Sequence, residues 1–150
     1  MAGPLERMLE EKVWAVVGAS ENRKKFGYKV LMFLHKRGYM VYGVNPKVNN
    51  INGIPCYPDL QSLPEEPGVV SFLVPPEVTF RVVEDGLRRG IKNFWVQPGA
   101  GDDAVLEKLM SSGAQMVFNH CVMAELKKRR IEGVKKTLRQ ISPLGGKDNG

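Results

Sequence analysis

Gly18, Ala19 and Ser20 close a short apolar run, and a polar loop then leads to Phe26 and Gly27 at the head of an amphipathic segment. Residues of those types in that order suit a phosphate. Glycine lets an anion approach the backbone, and the first turn of a helix offers free N–H groups and the positive end of its dipole. Ser20 adds a hydroxyl, and Arg23, Lys24 and Lys25 add positive charge. Any parallel α/β protein needs a tight strand-to-helix turn, so this loop alone makes a nucleotide-type ligand only a working hypothesis. It lacks the G-x-G-x-x-G spacing, which argues against a standard dinucleotide fingerprint.

A second loop narrows the chemistry. A fold that binds NAD places an acidic residue at the end of its second strand to take the ribose hydroxyls. Here that position offers Asn45, Pro46 and Lys47. A cation there favours a phosphate on the ribose, as in NADP at the 2′ position or coenzyme A at the 3′ position. The competing reading is a plain Asn45-Pro46 turn with Lys47 in water. Further on, Val74, Pro75 and Pro76 form a rigid apolar ledge whose prolines donate no N–H. Gln97, Pro98 and Gly99 make a loop with a backbone open to close approach. Each is also what a helix start or a turn would use.

Other chemistries find little support. His120 and Cys121 are adjacent, so on an extended segment their side chains point oppositely, which argues against a nucleophile–base pair from these two alone. Cys56 and Cys121 lie far apart with no C-x-x-C spacing, which suggests free thiols. No Ser-His-Asp set, paired carboxylates or metal-ligand spacing stands out, so neither catalytic nor metal residues are expected. The chain carries 22 Lys/Arg against 16 Asp/Glu, a net charge of +6. Much of the excess falls between Lys127 and Arg139, where Glu132 is the only acid. No aromatics interleave with those charges, as a single-strand nucleic-acid binder would want, so a solvated helix face is the expectation. Apolar runs reach only strand length, too short to span a membrane. Met1 to Lys12 has no apolar leader core, and the cytoplasm is the expected compartment.

The elements that must position these loops follow in order. Pro4 to Lys12 has helical spacing. Strands are expected at Val13–Val17, Met40–Val44, Val69–Val74, Asn93–Val96 and Gln115–Phe118. Helices are expected at Gly27–Arg37, with Val30, Leu31, Phe33 and Leu34 inward, and at Glu77–Arg89. A third follows an Asp102 cap, with Val105, Leu106, Leu109 and Met110 facing the core up to Gly113. Val48 to Pro67 reads as loop, apart from a helical turn capped by Asp59 and ending at Ser62. A basic helix is expected at Met123–Gln140 and a flexible tail at Ser142–Gly150. The 150 residues thus predict one domain, residues 1–141, with β-α units repeated five times. Such alternation implies right-handed crossovers and a doubly wound, five-stranded parallel sheet, with ligands beyond the strand carboxyl ends.

Taken as an ordered set, Val16 to Ser20, Phe26-Gly27, Gly38-Tyr39, Val44 to Lys47, Val74 to Pro76, Gly90 to Lys92, Gln97 to Gly99 and Asn119 to Cys121 resemble small stand-alone CoA-binding domain proteins. These are similar to the CoA-binding domain of the succinyl-CoA synthetase α subunit and of ADP-forming acyl-CoA synthetases. The resemblance covers roughly residues 12 to 126. It implies a Rossmann-like domain binding coenzyme A or an acyl-CoA. By motif, Gly18, Ala19, Ser20, Phe26 and Gly27 would hold the pyrophosphate, and Asn45, Pro46 and Lys47 would meet the 3′-phosphate. Val74, Pro75 and Pro76 would take the adenine side, and Gln97, Pro98 and Gly99 the pantetheine path. The synthetases' ligase and nucleotide-grasp parts do not fit in this chain, so binding without catalysis is the expectation. The alternatives are an NADP-dependent or acyl-transfer enzyme, or the CoA-binding subunit of a synthetase-like complex. A homo-oligomer or a partner subunit is compatible with each.

Overall fold

Val13–Val17 forms β1, whose five apolar residues alternate between two separate cores. Trp14 and Val16 point to one face and Ala15 and Val17 to the other, which is why the strand shows no polar alternation. The computed structural model describes residues 2–130. Its remaining strands are β2 (Met40–Val44), β3 (Asn50–Ile51), β4 (Ile54–Tyr57), β5 (Val69–Phe72), β6 (Asn93–Val96) and β7 (Gln115–Phe118). They make one sheet in the order β3-β4-β2-β1-β5-β6-β7. All pairings are parallel except the β3–β4 hairpin.

The helices are α1 (Pro4–Leu9), α2 (Phe26–Lys36), α3 (Pro76–Arg89) and α4 (Asp103–Ser112). A fifth, α5, occupies 122–130. Residues of α1, α2 and α5 share a core with Trp14, Val16 and Trp95. Those of α3 and α4, with the 3-10 turn Leu60–Ser62, share the other with Val17, Phe72 and Phe94. The result is the doubly wound, Rossmann-like arrangement, a sheet between two helical layers.

The strand count is seven where five were expected. The two additions come from the stretch read as loop. Asn52 and Gly53 both have positive φ, 52° and 88°, the backbone of a tight hairpin turn. That turn pairs Ile51 with Ile54 and Asn50 with Pro55. β4 then pairs with β2 through Gly43–Cys56 and Val44–Tyr57. The Asp59 cap is present, its carboxylate accepting from the Ser62 N–H at 2.9 Å. Gly90 and Gly113 close α3 and α4 in left-handed conformations, as the sequence predicts. Met110 departs from expectation. It is 66% exposed on the outer side of α4, while Val105 and Leu109 alone of that stripe are buried. Of the expected basic helix, residues beyond 130 lie outside the described residues, as does the tail at 142–150.

Candidate functional site

The chain leaves β1 for β2 on one side, and returns later to place β5 on the other side of β1. The loops after β1 and β5 therefore diverge to opposite helical layers and leave a crevice between them. A cavity of about 740 Å3 lies there. Gly18, Ala19, Ser20, Phe26, Gly27, Asn45, Pro46, Lys47, Val74 and Pro75 all line it. A second space of about 530 Å3 adjoins it across Asn45, Pro46, Lys47 and Pro58, and reaches Glu21 and Cys56. Burial pushes the Cys56 thiol above its ordinary pKa.

The glycines of the first loop are required by the protein itself before any ligand arrives. A Cβ on Gly27 would sit 1.9 Å from the Gly18 carbonyl oxygen. On Gly18, whose φ is +97°, a Cβ would sit 2.8 Å from the Leu73 carbonyl oxygen. The start of α2 is thus pressed onto the end of β1, and that end onto the strand-to-helix turn after β5. Close backbone packing brings the first turn of α2 to the cavity wall.

That turn is ready for an anion. Lys25 at its N-cap provides no side-chain cap, and no acid stands in the first turn. The Phe26 and Gly27 N–H groups have no acceptor among the described residues, because helical bonding begins with Tyr28 to the Lys25 carbonyl at 3.1 Å. The Ser20 Oγ accepts from the Asn22 N–H at 3.0 Å, which leaves its hydroxyl proton free to donate. Lys24, Lys25 and Lys47 line the cavity, and among the described residues no carboxylate does. None of the three lysines is in an ion pair among the described residues. Phe26 is 61% exposed at the mouth, with the Lys29 ammonium 5.3 Å from its ring centroid.

Asn45 joins the two loops. Its amide nitrogen donates to the Ala19 carbonyl at 2.8 Å and its amide oxygen accepts from the Lys47 N–H at 2.7 Å. The opposite wall is Leu73, Val74 and Pro75, backed by Val78 and Val82 of α3.

Four expected residues lie off this lining. Pro76 is the first residue of α3, and Pro75 its N-cap. Gln97 is 2% exposed, its amide nitrogen donating to the Ser71 hydroxyl at 3.0 Å and its oxygen accepting from the Val122 N–H at 3.0 Å. Pro98 and Gly99 are exposed in the turn beyond it. Of the three cations noted in the first loop, Lys24 and Lys25 line the cavity and Arg23 is not in its lining, while Pro58, Val78 and Val82 line it without any signal of a site in the sequence. The valines follow from the helical period of α3, which cannot tell a core face from a cavity wall. Pro58 is brought in by the hairpin that the sequence reading missed.

His120 and Cys121 also lie away from the cavity lining. The His120 Nδ1 is 3.4 Å from Glu125, and its carbonyl accepts from the Trp95 indole N–H at 2.8 Å. No group of His, Cys, Asp and Glu suited to a metal occurs among the described residues.

Residues 12–127 match the family model described as a CoA binding domain. The chain belongs to the CoA-binding domain family. Within it, the chain is 33% identical over 103 residues to ADP-forming acetate–CoA ligase I of Archaeoglobus fulgidus, covering 69% of this chain and 15% of the ligase. It thus spans a small part of that relative's length. Among solved structures it is similar to a conserved hypothetical protein from Pyrococcus furiosus, with a TM-score of 0.74 and 36% identity over 76% of this chain and 98% of that one. It is also similar to the dinucleotide-forming acetyl-coenzyme A synthetase 1 of Ca. Korarchaeum cryptofilum, solved with phosphate and ADP. That match has a TM-score of 0.67 and 29% identity, over 77% of this chain and 27% of the synthetase. The family match runs from the residue before β1 into α5, so it includes the whole cavity wall. No helix among the described residues is long and apolar enough to cross a membrane.

Proposed function

We propose that the cavity at the carboxyl ends of β1, β2 and β5 binds coenzyme A or an acyl-CoA, and that the chain does so without catalysis of its own. The observation carrying this is the composition of the wall, which among the described residues has three lysines, an uncapped helix N-terminus and no carboxylate. A ligand with several phosphates satisfies that set, and NAD, which needs an acid for its ribose, does not. The pyrophosphate lies against Gly18, Ala19 and Ser20 and the N–H groups of Phe26 and Gly27. The 3′-phosphate meets Lys47 in the Asn45-Pro46-Lys47 turn. The adenine side rests on Val74 and Pro75, next to Pro76, and the pantetheine arm runs out toward the exposed Pro98-Gly99 turn, with Gln97 buried beneath it. Among the described residues the lining of the larger cavity holds no histidine, cysteine or acid to move a proton, which supports binding over turnover.

Membership of the family supports coenzyme A over NADP. A second reading, that the chain serves as the CoA-binding subunit of a larger assembly, is favoured by one relative's designation. A 79-residue stretch is 30% identical to the α subunit of an ADP-forming acetate–CoA ligase II of Pyrococcus furiosus. The free thiols Cys56 and Cys121 support a reducing compartment, the cytoplasm.

Isothermal titration with CoA, dephospho-CoA, NADP and NAD tests the proposal. CoA is expected to bind most tightly and NAD most weakly. Failure to bind CoA contradicts the proposal, and a preference for NADP replaces it with the NADP-dependent enzyme alternative.

A further inference from the structure

Asn45 has both ends of its carboxamide engaged within the protein, on opposite sides of the cavity floor. Its nitrogen faces a carbonyl, that of Ala19, and its oxygen faces an N–H, that of Lys47, so only one orientation of the amide satisfies both partners. Its own N–H donates to the Tyr57 carbonyl at 2.9 Å, which fixes the residue to β4. Across the trans peptide that follows Ala19, the Ser20 N–H lies antiparallel to the carbonyl that Asn45 holds. Turning that carbonyl toward Asn45 therefore also sets the direction of the Ser20 N–H, which has no acceptor among the described residues. Ala19 is held from beneath as well, since a Cβ on Gly43 would come within 2.9 Å of the Ala19 Cβ.

We propose that Asn45 is a positioning residue that acts through Lys47 and the Ala19–Ser20 peptide, and is not itself a contact of the 3′-phosphate. One arm of the amide presents Lys47 to the phosphate on the ribose. The other aims a backbone donor at the pyrophosphate. A single side chain thereby ties the two phosphate sites together at a set spacing. The inference rests on the CoA reading above and assigns a division of labour within it.

The test compares affinities for CoA and dephospho-CoA across variants of the full chain. The wild type is expected to prefer CoA by about tenfold or more, the worth of a hydrogen bond to a charged group. Lys47→Ala removes that preference. Asn45→Ala reduces it to within about twofold of the Lys47→Ala value, and the double variant loses no more, because both changes remove one interaction. Asn45→Ser still accepts from the Lys47 N–H but is too short to reach Ala19. It keeps the preference and weakens both ligands by one common factor. A folded Asn45→Ala with wild-type preference, or a double variant whose losses add, overturns the inference while leaving CoA binding intact. Should Asn45→Ala not fold, Asn45→Ser decides, and loss of preference there overturns it. A wild type that does not bind CoA removes the underlying reading, and this inference with it.

Discussion

Lys47 bears most directly on the CoA proposal, in which its charge would separate a phosphorylated ribose from a bare one. It is exposed, lines both spaces at the end of β2 and has no ion-pair partner among the described residues. Lys47→Ala is expected to weaken CoA binding by about tenfold while leaving dephospho-CoA within about twofold, as titration calorimetry would measure. Equal losses for both ligands would move the 3′-phosphate elsewhere. Residue types and loop positions were enough to pick out Lys47, Gly18 and Phe26-Gly27 as neighbours of one cavity. They do not show that the Gln97 side chain is buried. Its amide partners, Ser71 and Val122, stand 26 and 25 residues away in the chain, so nothing local marks its burial.

At the scale of elements, the tight junction between β1 and α2 decides where the anion-ready turn lies. Gly27→Ala puts a methyl group 1.9 Å from the Gly18 carbonyl oxygen, where only backbone movement can relieve the clash. A loss of about 3 kcal/mol or more in urea unfolding is expected. Gly99→Ala serves as the control. Its φ is +88° but its surroundings are open, so only the backbone term applies, about 1 kcal/mol. Similar losses for the two would mean that the β1–α2 contact is softer than it looks. The strands β1, β2, β6 and β7 were legible residue for residue, because each is a short apolar run bounded by glycine, proline or charge. The β3–β4 hairpin was not. Asn52-Gly53 signals a turn, but two-residue β3 is too short to show a period, and Pro55 in β4 reads against a strand. Met110 misled because helical spacing says which residues share a stripe and not how wide the buried stripe is.

At the scale of the whole molecule, the cavity depends on the order of strands about β1, and α1 and α5 are fastened to each other on one face of that sheet. Arg129 of α5 bonds Glu125 at 3.0 Å and Glu6 of α1 at 2.9 Å. Burial of Glu125 opposes its ionisation, but the Arg129 hydrogen bond, the Lys128 charge and the His120 hydrogen bond outweigh it and hold its pKa below the ordinary carboxylate value. A carboxylate with a depressed folded pKa adds stability above its unfolded value, and that stability is lost as pH falls through the folded one. The melting temperature of Glu125→Gln should therefore fall furthest below wild type near neutral pH, and the gap should close below about pH 4. A gap that stays constant with pH would show that the lost charge is not what matters. The central claim concerns the place of binding, and amide chemical-shift mapping of the 15N-labelled chain titrated with CoA tests it most directly. The account predicts the largest shifts at Gly18, Ala19, Ser20, Phe26, Gly27, Asn45 and Lys47. Shifts centred instead on Phe80 and Met110 between α3 and α4, or no shifts at all, would contradict it.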